Sequence, residues 1–299
     1  MNRLNAKGTV NTSAFPACFD VRRDIVGSPL VSIIIPSAGR SATILGKEVD
    51  LLPNCINSIL EKSTYRNYEI IVVDNDDLKE RTVEAIKPDH ITFVHFHGPF
   101  NIASKFNLGT RHAKGDYLLY LNDDTEVISP DWIEAMLHFA QRSEIGAVGA
   151  KLYFEENTLQ HVGVSFIENG MPDHVCSGFA GRSPGYFFSS VGNRNYLAVT
   201  GACFLTPRKV FEAIGGFNDK FAVNYNDIDY CLRVYEAGYR IVFTPHAELY
   251  HYESKCRERF VAPEEIDLFR ELWQWKTLRD PYYNINLASS PPNFEIKPG

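Results

Sequence analysis

The sequence predicts an α/β fold: a mostly parallel central sheet with helices on both faces. Three observations carry that reading. Nearly continuous apolar runs rich in β-branched residues recur through the first half of the chain, as strands covered on both faces require. Segments with helical spacing lie between them, and such alternation is how parallel strands are joined. Polar residues collect at the carboxyl ends of the runs, where open α/β sheets bind ligands.

Taken in order, "LVSIIIPS" (30–37) is the first strand. Val49, Leu52, Ile56, Ile59 and Leu60 then recur at helical spacing, with Pro53 tolerable only in a first turn. "YEIIVVD" (68–74) is a second strand, followed by a polar helix around 78–87. "ITFVHF" (91–96) is a third strand, 101–114 a helix closed by Gly115, and "DYLLYLN" (116–122) a fourth strand. Pro130 suits the first turn of a helix over "DWIEAMLHFAQRS". From about 150 the pattern turns irregular, with glycine-rich loops over 169–194 and a strand over "AVTGACFLTP" (198–207). "NDIDYCLRVYEAG" reads as a helix with Gly238 as its C′ residue, and "RIVFTPHAELYHYES" as two short strands. A helix over 263–279 carries Trp273 and Trp275, and a Pro/Asn-rich tail follows from 281.

With 299 residues, 44% of them hydrophobic, the chain can bury a large core. Its net charge of −7 argues against general nucleic-acid binding. Any phosphate must therefore be met locally, by a metal, backbone amides or a few basic side chains. Six cysteines lie scattered with no CxxC pair, which suits reduced thiols better than a disulfide frame. The first twenty residues lack the apolar core of a signal peptide, and no run approaches the length of a membrane span. A soluble, intracellular protein is expected.

The polar strand ends carry the chemistry. Ser37 follows the first strand, Asp74-Asn75-Asp76-Asp77 the second, and Asn122-Asp123-Asp124 the fourth. Strand-end aspartates open to a cleft suit a hard cation, Mg²⁺ or Mn²⁺, which takes carboxylates together with substrate phosphates. The competing reading of the triplet is a solvated turn with an Asx cap before the Pro130 helix. Asp227 and Asp229 open a helix, where one cap would suffice, so the other is available as a general base. A lone histidine is more often structural than a ligand, and His251, like His246, His161 and His174, carries little weight by itself. "GRSPG" (181–185) fits G-x-S-x-G, but the residue after the serine is Pro184, which has no N–H for an oxyanion hole. Neither a P-loop nor G-x-G-x-x-G occurs, which removes the kinase, ATPase and dinucleotide-binding classes.

"VSIIIPS", "IIVVDND", "GDYLLYLNDDTEV", "TGACFLTPRKVFEAIGGFND", "NDIDYCLR", "GYRIVFTPHAELYHYES" and "DPYYNINL" occur in that order. Together, over residues 29–290, they resemble the family-2 glycosyltransferases of GT-A fold, in the bacterial branch of O-antigen, capsule and cell-wall polysaccharide synthesis. The resemblance implies a Rossmann-like sheet with a smaller mixed acceptor-side sheet. It also implies an N-terminal extension (1–28), a transferase domain (29–260) and a C-terminal helix and tail (261–299). Within the domain, 29–125 would form the nucleotide-sugar half and 126–260 the acceptor half.

Residue by residue, the resemblance makes Asn122-Asp123-Asp124 a DxD-like motif. Asp124 is the main metal contact through the sugar donor's diphosphate, with either Asp123 or Asn122 completing the shell. His251 matches a third metal ligand. Asp74, with Pro36, Ser37 and Asn75 beside it, matches the nucleotide-binding position, and Asn107 a sugar-donor asparagine. Asp227 matches the catalytic base, preceded by Asn226 where the family often has Glu; Gly201, Ala202 and Asp229 lie on the acceptor side. The implied reaction is inverting transfer from a UDP- or dTDP-linked sugar to a glycan or lipid-linked hydroxyl. It would take place in the cytoplasm, with docking at the inner membrane face and membership of a longer chain left open. Two other classes compete with that reading. A catalytically idle sugar-nucleotide-binding module would not need Asp227. A nucleotidyltransferase would want a denser glycine signature than "PSAGRSATILGKE" provides.

Overall fold

In a computed structural model of the chain, the described residues are 7–13, 15, 16, 18–75, 78, 82, 83, 86, 91–252, 261–288 and 290–297. The polar helix expected around 78–87 falls largely outside them, as do Asp76, Asp77 and Cys256. The strands, in chain order, are β1 (Gly8–Thr12), β2 (Phe19–Arg23), β3 (Val31–Pro36), β4 (Ser41–Ile44), β5 (Lys47–Asp50), β6 (Tyr68–Asp74), β7 (Ile91–His95) and β8 (Tyr117–Leu121). They continue as β9 (Thr125–Val127), β10 (Ile145–Tyr153), β11 (Leu159–His161), β12 (Val164–Phe166), β13 (Pro172–His174), β14 (Arg194–Tyr196), β15 (Cys203–Pro207) and β16 (Arg240–His251). The helices are α1 (Leu51–Lys62), α2 (Ile102–His112), α3 (Trp132–Ala140), α4 (Arg208–Ile214), α5 (Asn226–Glu236) and α6 (Pro263–Phe269). The last runs on through a π-helical turn, Arg270–Gln274, into Trp275–Thr277.

Ten strands form one sheet, whose main path is β14-β16-β10-β15-β8-β3-β6-β7. The first-half strands β8, β3, β6 and β7 run parallel, as the alternation predicts. Strand order reverses between β3 and β8, so a crevice opens at their carboxyl ends. Of the strands within 126–260, β12 and β13 form a separate two-stranded sheet, and the others join the main one. β15 pairs antiparallel with both β8 and β10 and continues the same sheet.

Alternate residues of the buried strands point to opposite faces, and helices cover each. Ile33 and Ile35 pack with Leu52, Ile56 and Ile59 of α1 and with Trp132, Met136 and Leu137 of α3. Ile34, Ile71 and Val73 pack on the other face with Ala103 and Phe106 of α2, Leu232 and Val234 of α5, and Phe269 and Trp273 of the C-terminal helix. Each such side chain contributes roughly 1.5–3 kcal/mol by leaving water. Pro53 sits in the first turn of α1, where its missing N–H costs no helical bond.

Several boundaries differ from the sequence reading. β10, "IGAVGAKLY", is strand throughout and buried as far as Leu152, although its glycines obscure the pattern. A Cβ on Gly146 would lie 2.4 Å from Val234, and one on Gly149 2.5 Å from Val199, so close packing demands both glycines. Residues 240–251 make a single strand rather than two, with a register break after Phe243 in which Pro245 falls. Strand character over 198–207 is confined to Cys203–Pro207, which leaves 200–202 as a loop. Gly115 lies beyond the Ala113 cap of α2. Its bare Cα admits the backbone of Leu30 and Ser32, with which a Cβ would collide at 2.5–2.8 Å.

All five described cysteines are free thiols; Cys55, Cys176, Cys203 and Cys231 are buried, and Cys18 is partly so. Burial pushes the Cys55 thiol up to about 12. No helix among the described residues is long and apolar enough to cross a membrane.

Candidate active site

A cleft of about 510 Å³ opens at the carboxyl ends of β3 and β8. Pro36, Ser37, Asn122, Asp123, Asp124, Gly201, Ala202, Asp227 and His251 all line it, together with Arg40, His174, Thr200 and Tyr225. Most residues singled out in the sequence therefore converge, and the sheet shows why. Leu121 pairs with Cys203, and the Asn122 N–H donates to the Ala202 carbonyl, which lays loop 200–202 along the end of β8. β9 returns antiparallel to β16, opposing His251 to Thr125, while Tyr252 N–H donates to the Asp124 carbonyl. The last residue of β16 is thereby brought against the acidic turn.

At that turn His251 Nε2 stands 3.1 Å from Asp124 Oδ1 and 3.2 Å from Asn122 Nδ2. Gln160 fixes the imidazole. Its Oε1 accepts from Nδ1 at 2.7 Å, and its Nε2 donates to the His251 carbonyl at 3.2 Å. With Nδ1 facing Gln160, Nε2 is the ring atom that meets the Asp124 carboxylate. Where Nε2 carries its lone pair, that pair and the anionic oxygen call for a shared cation or proton. A carboxylate with an imidazole suits Mn²⁺-type chemistry. No three His, Cys, Asp or Glu side chains among the described residues form a complete metal shell. Remaining ligands would thus come from phosphate and water, as is usual for such ions.

Asp123 points elsewhere, accepting from Ser37 Oγ at 2.5 Å. Its burial, and then the Asp124 charge, push its carboxyl up to about 6 against the Ser37 bond and Lys105. Lys105, fully buried, donates to the Ser37 carbonyl at 3.0 Å and braces the end of β3 from α2. The one hint of it in the sequence is a lysine one turn before Gly109, at the edge of the helix face that carries Phe106.

Across the cleft, Asp227 lies in the first turn of α5, where the helix dipole favours a carboxylate. Its Oδ2 accepts from Gly201 N–H at 2.6 Å and its Oδ1 from Ile228 N–H at 2.8 Å. Burial outweighs these bonds and raises its pKa above the ordinary carboxylate range. A Cβ at Gly201 would stand 3.1 Å from that of Asp227, so glycine permits the close approach. Tyr225, the N-cap, holds φ +59°, a strained value for a bulky residue and of the kind that gathers at functional sites. Glu265 of α6 accepts from the N–H groups of Val223 and Asn224 and from the Asn224 amide, holding the preceding loop.

Four expected site residues do not line this cleft. Asp74 is buried beside the Ser37 backbone, with His95 Nδ1 at 2.7 Å. Asn75 donates to the carbonyls of Phe96 and Gly98. Asn107 spends both amide atoms on Phe217, donating to its carbonyl and accepting from its N–H at 2.9 Å, and so fastens α2 to the loop after α4. Asp229 is buried against Arg233 at 2.8 Å and accepts from Trp273 Nε1 at 3.0 Å, which ties α5 to the C-terminal helix. Its place, two residues from Asp227, turns it to the opposite side of the helix.

Comparison with known proteins agrees with this architecture. The chain is 37% identical over 283 residues to an uncharacterized protein, y4gI, of Sinorhizobium fredii, covering 90% of this chain and 30% of that one. It is 35% identical over 289 residues to the O-antigen biosynthesis protein RfbC of Myxococcus xanthus, covering 93% and 22%. The chain thus spans under a third of either relative's length. Among solved structures, GalNAc-T7 with UDP, GalNAc and Mn²⁺ superposes at a TM-score of 0.63 with 15% identity, covering 85% of this chain and 50% of that one. The mannosyltransferase PcManGT from Pyrobaculum calidifontis, in complex with GDP-Man and Mn²⁺, superposes at 0.54 with 16% identity, covering 85% and 64%. These likenesses bear on the fold, which is the expected GT-A architecture. The profile described as glycosyl transferase family 2 matches residues 32–215, more than half of the sequence, and the chain belongs to that family.

Proposed function

We propose that this chain carries out inverting transfer of a sugar from a nucleoside-diphosphate donor to a hydroxyl of a glycan or lipid-linked glycan in polysaccharide synthesis, on the cytoplasmic side of the cell. The observation that carries the reading is the opposition of two unlike groups across one cleft. Asp124 and His251, a carboxylate and an imidazole 3.1 Å apart, stand on one side, and Asp227 stands on the other as a buried carboxylate with a raised pKa.

Asp124 and His251 would hold a divalent ion, Mn²⁺ or Mg²⁺, and Gln160 would keep the imidazole in the ligating tautomer. When bound, that ion neutralises charge on a departing diphosphate. Arg40 adds local positive charge at the same end. Ser37, braced by Lys105 and bonded to Asp123, forms the floor beneath the nucleotide, with Asp74 behind it. Asp227 takes the proton from the acceptor hydroxyl as that oxygen attacks the anomeric carbon. Attack from the side opposite the leaving group inverts the configuration there. Gly201 N–H and Ile228 N–H hold the carboxylate still while it does so.

The test is a panel of UDP-, dTDP- and GDP-sugars scored for thermal stabilisation and hydrolysis with Mn²⁺ or Mg²⁺. One or more should stabilise the chain only with the metal present. A panel in which none does would overturn the reading.

A further inference from the structure

We propose that Tyr225 reads the acceptor: one face of its ring stacks against the C–H face of the acceptor pyranose, beside the hydroxyl that Asp227 deprotonates. The inference rests on the transferase reading above and deepens it by naming a contact that selects the acceptor.

The local backbone does not ask for a tyrosine here. Tyr225 is the N-cap of α5 at φ +59° and ψ 1°, and its side chain makes no cap bond. Asparagine would suit the place better on both counts, because it caps helices and enters the left-handed region at little cost. A bulky ring there holds strain, which persists only where the surroundings enforce it. Here they do. Glu265 accepts from the N–H groups of Val223 and Asn224, Asn226 Nδ2 donates to the Val223 carbonyl at 3.0 Å, and the Tyr225 carbonyl accepts from Asp229 N–H at 2.8 Å.

Core packing accounts for one side of the ring. Phe269, fully buried, lies 4.9 Å from it with the planes 32° apart, and Phe221, also fully buried, stands across it at 6.4 Å and 82°. The ring itself stays half-buried in the lining of the cleft. Val223 and Val261 line the same cleft and add apolar surface. Asp227 follows two residues on, so the exposed part of the ring adjoins the base rather than the Asp124–His251 wall where the diphosphate binds. The group that meets Tyr225 is therefore the one that gives its proton to Asp227.

A pyranose fits such a wall. Its ring C–H groups carry slight positive charge and seat on the electron-rich face of an aromatic ring, while its hydroxyls project from the rim. One rim hydroxyl reaches Asp227 and attacks. A sugar whose C–H face is blocked, or a hydroxyl compound without one, loses the contact.

Two readouts test this on the whole chain with UDP and Mn²⁺ present. Methyl α- and β-hexopyranosides are titrated into protein carrying ring-labelled tyrosine, with the Tyr225 signals assigned by their loss in Tyr225→Phe. At least one sugar should show nuclear Overhauser contacts from its ring C–H protons to Tyr225, and those protons should move upfield, as protons above an aromatic face do. Tyr225→Asn keeps the left-handed cap and removes the ring; it should bind that sugar about two- to tenfold more weakly. Tyr225→Phe keeps the ring and should bind it as the wild type does. The wild-type contacts decide the question even where the Asn variant unfolds. A panel that shows no such contacts, or a folded Asn variant that binds the sugar as the wild type does, overturns the assignment and leaves the ring as a cover for Phe269. An Asn variant that loses sugar-nucleotide stabilisation instead also overturns it, because the ring would then serve the donor. Thermal stabilisation of the wild type by UDP-, dTDP- and GDP-sugars with Mn²⁺ reports separately on the transferase reading. Stabilisation with no sugar on Tyr225 sinks only the acceptor-reading role.

Discussion

Asp227 shows how much one side chain can be asked to do. Two backbone N–H groups hold its carboxylate, yet burial wins and lifts the pKa. A base must be ionised, so transfer should rise with pH through that raised value. We expect the acid limb of kcat/KM to lie above the usual aspartate value of about 3.9. Asp227→Asn should lower transfer by about 10²–10⁴ while sugar-nucleotide binding persists. An Asn variant that retains most of the rate, or an acid limb at or below the usual value, would remove Asp227 from the role. On the opposite wall, Gln160 is the residue to alter for the metal. Gln160→Met frees the His251 ring and should weaken Mn²⁺ binding by about 10–100-fold, measured by titration of the apo chain. Unchanged affinity would show that the imidazole does not ligate. Asp124 and His251 are legible in the sequence as candidates. Gln160 is not, because it lies far from both along the chain and only its hydrogen bonds give it meaning.

Among the elements, the C-terminal helix contributes more than its position in the chain suggests. Read along the sequence, 261–299 is an appendage to the domain. In the fold, Glu265 holds the Val223–Asn224 loop, and Trp273 bonds Asp229 two residues from Asp227. The helix therefore sets the approach of α5 to the cleft. Oε1 of Glu265 serves both backbone N–H groups, so replacing Glu265 with Gln puts an N–H at the Oε2 place, where the Asn224 side-chain amide loses that acceptor. A loss of about 1–3 kcal/mol in denaturant unfolding is expected. kcat should fall as well, since the loop carries Tyr225 and leads into Asp227. A Glu265→Gln chain with wild-type stability and rate would separate α6 from the site.

At the scale of the molecule, one sheet carries both halves of the cleft. β8 ends at the acidic turn, and its edge is covered by β15, which lies beyond residue 125. A fragment ending near residue 125 would expose that edge and the buried faces of Leu119 and Tyr120. We expect residues 29–125 alone to aggregate or melt without cooperativity, as judged by circular dichroism on heating. A sharp, reversible transition would instead make the halves independent units.

The sequence by itself determined the fold class, the parallel run of the first-half strands and the gathering of Ser37, Asn122, Asp123 and Asp124 at their carboxyl ends. Those features are local: apolar runs of strand length, helical spacing and polar residues at strand ends. β10 escaped because glycines demanded by close packing erase the apolar pattern that marks a strand. Tertiary structure alone decided what each polar side chain faces. It gave Asn107 to Phe217, Asp229 to Trp273 and Asp123 to Ser37. It also joined His161 to His174 and Gln160 to His251. The physical reason is that a strand pattern depends on neighbours along the chain. A carboxylate or imidazole takes its function from the partner packing sets beside it, and here those partners lie up to more than a hundred residues away.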